Sequence, residues 1–322
     1  MNLKGIFNIY FLNYKFNNKQ LTELKLGKSH KVDYFIYAKP ELHYLQMQLV
    51  RLALEKGLDT TVLINSKFNP RQIAEIHLGL ENNLDFLLYS NQEFTWEQMY
   101  QIREGLKNDV DVSVYARPEF NWEQMFQIRL GLEQGLDVSW YAKPEFTYQQ
   151  MVAIRFGLEN KLDVSWYAKP EFNPNQMREV YLGLEKKLNV SIYANPEFDW
   201  KQMFEIRTGL EVGADVTVYA DLKFNSKQMY QILGGLEQGL DVNYYANPEF
   251  HEFQMKEIRL GLEKKLNVSI YAKPEYTWRQ MSEIRQGLEQ NLDVDYYLNP
   301  LLTFKEMEER RTSLLMDKLT LN

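Results

Sequence analysis

Residues 118–143 read PEFNWEQMFQIRLGLEQGLDVSWYAK, and the fold follows from how this stretch is phased. Asn121 offers the side-chain oxygen of a helix N-cap, and Gln124, three residues on, completes a capping box. Phe120 before the cap and Met125 at the fourth helical position form a hydrophobic staple. Met125, Ile128 and Leu132 then recur at helical spacing and predict one buried stripe. Gly135 suits the left-handed residue that ends a helix. Asp137 can cap a second, very short helix over 138–142, with Val138, Tyr141 and Ala142 facing inward. Pro144 disfavours helical geometry at Lys143 and stops it. The unit is a helix of about three and a half turns followed by a single α or 3-10 turn.

Outward from this unit the pattern repeats with a fixed step. Gln20, Gln46, Gln72, Gln98, Gln124, Gln150, Gln176, Gln202, Gln228, Gln254 and Gln280 stand 26 residues apart, and Glu306 continues the series, giving twelve copies. Thr95, Thr147, Asp199 and Thr277 take the cap position, and Pro70 and Pro174 fall on the first helical residue, where proline is tolerated. Gly57, Gly213 and Gly239, or Asn83 and Asn291, replace Gly135. Neither helix of a unit buries its stripe alone, so neighbouring copies must stack and share a core. The expected fold is all-α: one superhelical solenoid domain of twelve 26-residue repeats over 1–322. Its parts are an amino-terminal cap region at 1–40, regular repeats at 41–300 and a carboxy-terminal cap helix at 301–322.

The shared motif F-N/T-W-x-Q-M-x-x-I-R-x-G-L-E-x-G-L-D-V-S-x-Y-A resembles short α-solenoids of the leucine-rich-variant and HEAT-like kinds, which pair a longer helix with a shorter one. It also looks like repeats in uncharacterised bacterial proteins, some from mobile elements. The likeness implies an architecture and no activity.

Composition narrows the function classes. There are no cysteines, which removes disulfides, thiolate metal sites and cysteine nucleophiles, and four scattered histidines leave no zinc-like cluster. No metal, cofactor or catalytic residue is therefore expected. No apolar run is long enough to span a bilayer, and MNLKGIFNIYFLNYKF lacks a signal-peptide cleavage site. A reducing, cytoplasmic setting without membrane attachment is the expectation. Net charge is −7, which argues against a simple polyanion binder. The charge is uneven: ten Lys/Arg face five Asp/Glu in residues 1–70, against 27 and 39 in the rest, so a basic end adjoins an acidic body.

Four columns of the repeat are candidates for function. The glutamines are explained by the capping box. The arginines Arg51, Arg103, Arg129, Arg155, Arg207, Arg259, Arg285 and Arg311 could track a phosphate backbone. Glu133 one turn after Arg129, with Asp137 nearby, instead suggests an internal Arg–Glu–Asp ladder linking repeats. The helix-interior glycines (Gly79, Gly105, Gly131 and their equivalents) each cost about 1 kcal/mol relative to alanine and predict close approach of a neighbouring helix. Of the tryptophans, Trp96, Trp122, Trp200 and Trp278 open long helices and are expected to pack on the preceding repeat, whereas Trp140 and Trp166 are expected in the core.

On a 100° wheel with Met125, Ile128 and Leu132 inward, Leu130 points outward and Phe126 sits on the outer flank. With Tyr100, Phe156, Leu182, Phe204, Tyr230 and Leu260 they form an apolar strip where polar residues are expected, which predicts a protein-binding surface. Departures from the pattern are further leads: His77, Tyr181 and Leu233 replace the column arginine, Arg178 and Lys256 interrupt the aromatic positions, and Ser66, Gln92 and Leu222 replace the loop proline. An interaction scaffold with a protein partner is the leading reading. Nucleic-acid binding along Arg103, Arg129, Arg155, Arg207, Arg259 and Arg285 is the alternative. An inhibitor from a mobile element that blocks a nucleic-acid-processing enzyme is a variant of the first.

Overall fold

The computed structural model describes residues 16–65 and 67–320, so the amino-terminal stretch read above as lacking a signal peptide, and Ser66, lie outside the described residues. Capping boxes open helices where the repeat predicts them. In the unit at 118–143, Asn121 Oδ1 accepts from Gln124 N (2.8 Å) and Gln124 Oε1 accepts from Asn121 N (2.8 Å). Twelve α-helices are described: α1 (Asn18–Ser29), α2 (Tyr44–Glu55), α3 (Pro70–Glu81), α4 (Trp96–Lys107), α5 (Trp122–Glu133), α6 (Tyr148–Glu159), α7 (Pro174–Glu185), α8 (Trp200–Glu211), α9 (Ser226–Leu236), α10 (Glu252–Glu263), α11 (Trp278–Glu289) and α12 (Phe304–Thr320). Ten of them are followed by a three-residue 3-10 helix such as Val138–Trp140, and α2 by a hydrogen-bonded turn instead. No strand occurs among the described residues.

The chain divides into two compact units, Met1–Asn160 and Lys161–Asn322. Within the first, α1 to α6 each pack on the next; within the second, α7 to α12 do the same. Gln124 binds the stack together as well as capping its helix, because its Nε2 donates to the carbonyls of Pro144 (3.1 Å) and Phe146 (2.6 Å) in the following repeat. One buried amide thus serves two repeats. The same glutamine in α7, Gln176, reaches Pro196 O (2.9 Å) and Phe198 O (2.6 Å).

The core is a periodic set of fully buried Met, Ile, Phe and Tyr side chains, represented by Phe120, Met125, Ile128 and Tyr141. Leu132, in the last helical turn, is only half-buried. Trp140 is exposed and Trp166 half-buried, so neither is the core residue expected. A 3-10 turn brings residues three apart onto one face; with Val138 and Tyr141 turned inward, Trp140 must face out.

The helix-interior glycines have a different cause from the one expected. A Cβ on Gly131 would fall far inside contact of Tyr141 Oη and 2.9 Å from Val138 Cγ1, both from the same repeat and not from a neighbouring long helix. Tyr141 Oη donates to Gln127 O (3.3 Å) across the face that the glycine leaves bare. Gly105 meets Tyr115, and Gly183 meets Tyr193, in the same way. Burial pushes these tyrosine hydroxyls well above their ordinary pKa.

Helix ends follow the expected left-handed geometry, with Gly135 at φ +68° and Asn83 at +53°. Lysines take it too, for example Lys187 at +58°. Gly or Asn was thus too narrow a rule for this position.

Candidate partner-binding face

Each unit carries part of the apolar strip on the outer side of its long helices. In the first, Tyr100 and Phe156 are exposed while Phe126 and Leu130 are half-buried; in the second, Phe204 and Tyr230 are exposed while Leu182 and Leu260 are half-buried. The tryptophans that open long helices flank the strip and are themselves partly exposed, with Trp122, Trp200 and Trp278 the most open. Trp278 leans on Phe253 of the preceding repeat (ring centroids 5.6 Å apart), and Arg71 lies over Trp96 (5.1 Å). Packing on the preceding repeat therefore covers part of the Trp278 and Trp96 indoles.

Under the strip runs the arginine column. Arg103, Arg129, Arg155 and Arg207 are buried, Arg259 and Arg285 half-buried. Each guanidinium bridges two acceptors. Arg129 Nε donates to Gln101 Oε1 (3.0 Å), on the preceding helix, and its Nη1 to Glu133 one turn on. In the second unit Arg207 does the same between Glu179 Oε2 (2.8 Å) and Glu211, and Arg285 between Glu257 Oε2 (2.8 Å) and Glu289. Arg259 joins Gln231 Oε1 (3.2 Å) and Glu263. Arg103 uses Glu75 Oε2 (2.7 Å) and its neighbour Glu104, since Lys107 occupies the position one turn on. Arg155 pairs with Gln127 Oε1 (3.1 Å) and Glu159.

The internal ladder therefore has an acceptor that was not foreseen, the Glu or Gln on the helix of the preceding repeat, at the same sequence offset from every one of these arginines. Asp137, expected in the ladder, instead accepts from Ser139 N (3.1 Å) and Ser139 Oγ (2.6 Å) at the start of the 3-10 turn. At Arg207 burial pulls the guanidinium pKa down, but hydrogen bonds and charges from Glu179 and Glu211 outweigh it and hold the pKa above its ordinary value.

The two candidate sites meet. The guanidinium of Arg103 lies 5.3 Å from the Tyr100 ring centroid, Arg129 5.4 Å from Phe126, Arg155 4.7 Å from Phe156 and Arg207 5.3 Å from Phe204. The ladder is the bed on which Tyr100, Phe126, Phe156 and Phe204 rest, and it fixes their orientation. A signal for the unforeseen acceptors was present in the chain. His77 and Tyr181 replace arginines, and the residues at their acceptor positions in the preceding repeat, Leu49 and Ala153, are apolar where a Glu or Gln otherwise stands.

The third departure, Leu233, breaks this rule, since Glu205 still occupies its acceptor position. Glu205 lines an open groove of about 730 Å³ in the second unit, walled by Trp200, Phe204, Tyr230 and Phe253, with Lys201, Lys227, Lys256 and Arg259 around it. Burial, and secondarily the charge of Glu237, push the Glu205 carboxyl up to about 7.

Among the described residues no helix is long and apolar enough to cross a membrane, and no three His, Asp or Glu side chains are grouped to hold a metal ion. The molecule is a tandem helical-repeat protein. Comparison with protein-family models, curated proteins and solved structures returns no match.

Proposed function

We propose that the chain is a non-catalytic interaction scaffold that binds a protein partner along the aromatic strip. The observation that supports this most directly is that Tyr100, Phe156, Phe204 and Tyr230 remain exposed although the buried core of the repeats that carry them is closed without them. Exposed apolar area of this kind marks interfaces, and aromatic residues dominate their energetics. Fixed rings also lose little freedom on binding, and Tyr100, Phe156 and Phe204 each already rest on a guanidinium held at two points.

The arginines are engaged twice over and largely buried, which favours a structural role for them over contact with a phosphate backbone. The overall acidity points the same way. A cytoplasmic location, supported by the absence of cysteine, belongs to the proposal. So does kinship with leucine-rich-variant, HEAT-like or mobile-element repeat proteins, supported by the motif.

The test is Phe156→Asp with Phe204→Asp, one change in each unit, in the full chain. Helicity and melting temperature should stay nearly unchanged, and the protein captured from the native host by the unaltered chain should no longer be captured. Capture retained by a folded double variant would sink the reading.

A further inference from the structure

The arginine ladder is interrupted within the second unit in a way that leaves its sockets in place. In α8 and α11 a guanidinium is held by one carboxylate from the preceding repeat and another one turn after it: Glu179–Arg207–Glu211 and Glu257–Arg285–Glu289. In α8 it also lies over the aromatic residue three positions earlier, Phe204. At the corresponding place in α9 the arginine is Leu233, buried and without a head group. Its three partners are all still there: Glu205 in the preceding repeat, Glu237 one turn after and Tyr230 three before.

Nothing among the described residues has taken over the arginine's role. No hydrogen bond or ion pair there engages either carboxylate. Glu237 has also lost its second cation, because Val212 stands where Lys186 and Lys264 reach Glu211 (2.6 Å) and Glu289 (2.7 Å). Tyr230 is 58% exposed, the most open ring of the strip. Glu205 and Tyr230 both line the 730 Å³ groove, so the open rung faces outward.

At His77 and Tyr181 the cross-repeat acceptor is lost together with the arginine, Leu49 and Ala153 standing in its place, and only the carboxylate one turn on, Glu81 or Glu185, is kept. At Leu233 the acceptors are kept, at the cost of two carboxylates repelling each other.

We propose that this groove seats an arginine side chain of a protein partner, its guanidinium entering between the carboxylates of Glu205 and Glu237 and over the ring of Tyr230. The partner's arginine completes in trans the rung that Leu233 leaves open. Guanidinium is the group this constellation holds elsewhere on the same chain, through two acceptors and a ring face, a geometry that an ammonium does not match. The charged groups around the groove leave the berth free for it. Lys227 is paired with Glu252 (3.3 Å), Arg259 is held by Gln231 and Glu263, and Lys201 lies over Trp200 (5.6 Å), so Lys256 is the remaining cation at the rim. The inference rests on the protein-binding reading for the source of the arginine, and the berth itself can be tested without a partner.

The experiment titrates the full chain at pH 8, with Glu205 ionised, using N-acetylarginine methylamide and its citrulline analogue. The Glu205 carboxyl and Tyr230 ring signals are followed by NMR. The arginine compound should bind at least tenfold more tightly than the neutral citrulline one, and saturation should lower the Glu205 pKa by a unit or more. Leu233→Arg, which fills the berth from within, should weaken arginine binding at least tenfold and raise the melting temperature. Glu205→Gln, carrying the residue native at positions 101, 127 and 231, should weaken it with the fold retained.

Equal binding of citrulline, or undiminished binding by both variants, overturns the berth. The peptide Ac-Leu-Ala-Arg-Leu-Ala-NH2 then reads the strip: tighter binding than the amide, lost in Phe204→Asp, supports the two readings together. Berth binding with no gain from the apolar flanks leaves the guanidinium site standing and overturns its use by a protein partner.

Discussion

Placing a single methyl group at Gly131 tests the packing logic of the whole array. Alanine favours a helix interior over glycine by about 1 kcal/mol, so an exposed Gly131→Ala would stabilise. Here the new Cβ would collide with Tyr141 Oη and stand 2.9 Å from Val138 Cγ1. The hydroxyl has to leave Gln127 O, losing a buried hydrogen bond worth about 1–3 kcal/mol once its donor is unsatisfied. The 3-10 turn must shift as well, at a further overpacking cost of about 1–3 kcal/mol. The net expectation is destabilisation of about 1–5 kcal/mol, more than for Phe126→Ala, which truncates a half-buried ring. Tyr141→Phe removes the colliding oxygen, so the double variant should lie at least about 1 kcal/mol closer to the parent than the two single effects predict. Repeat arrays need not unfold in one step, so the assay is amide hydrogen exchange over residues 127–141 alongside urea denaturation. A neutral or stabilising Gly131→Ala, or strict additivity with Tyr141→Phe, would refute the argument.

Three other expectations follow from the same contacts. Glu205 keeps its proton in the fold to about pH 7, whereas the free side chain loses it near 4.5, so folded-state stability falls as the pH rises through that window and the loss is complete above it. At about 1.4 kcal/mol per pH unit the ceiling is about 3 kcal/mol, reduced to about 1–2 by solvent screening of a half-buried group. Glu205→Gln should therefore be more stable than the parent by that amount at pH 8 and equal to it at pH 4; a difference that does not change with pH contradicts this origin. Gln124→Ala removes the Asn121 N acceptor and both donations to Pro144 and Phe146, and should cost about 2–3 kcal/mol in denaturant melts. A cost below about 0.5 kcal/mol, the low end for one hydrogen bond, would mean that the glutamine is dispensable between repeats. Arg129→Glu with Arg155→Glu puts carboxylates against Glu133 and Glu159 and should unfold the first unit, as seen by circular dichroism; a folded variant that has lost salt-sensitive nucleic-acid binding would restore the phosphate reading.

The repeat, its phase and its caps were legible from residues alone because they are local. Asn121 and Gln124 cap within one turn, and Met125 and Ile128 share a face by helical geometry. What escaped the reading depends on contacts between positions far apart in the chain. The sequence pattern points Gly131 at a neighbouring repeat because its partner, Tyr141, lies beyond a left-handed turn that folds the short helix back. The mostly apolar column of Trp140 suggests a core position, and composition does not report that Val138 and Tyr141 already fill the inward face of a three-residue turn. A helical wheel shows the strip at Tyr100, Phe156, Phe204 and Tyr230, but not the guanidiniums beneath the first three, since that requires knowing which side chain of the preceding repeat faces each arginine.

That register, once known, changes how departures from the repeat are read. A column viewed alone makes His77, Tyr181 and Leu233 three equivalent losses of arginine. Paired with their acceptor positions in the preceding repeat they separate, because Leu49 and Ala153 have given up the acceptor and Glu205 has not. Where the donor and its cross-repeat acceptor are lost together, that acceptor is not left unpaired and the exchange costs less. An acceptor kept without its donor raises the energy of the folded state unless something else supplies the donor, and Glu205, with its carboxyl pushed up to about 7 beside Glu237, bears that cost. In an array whose other arginine rungs are closed, the one left open toward a groove is where a partner gains most from contributing a single side chain.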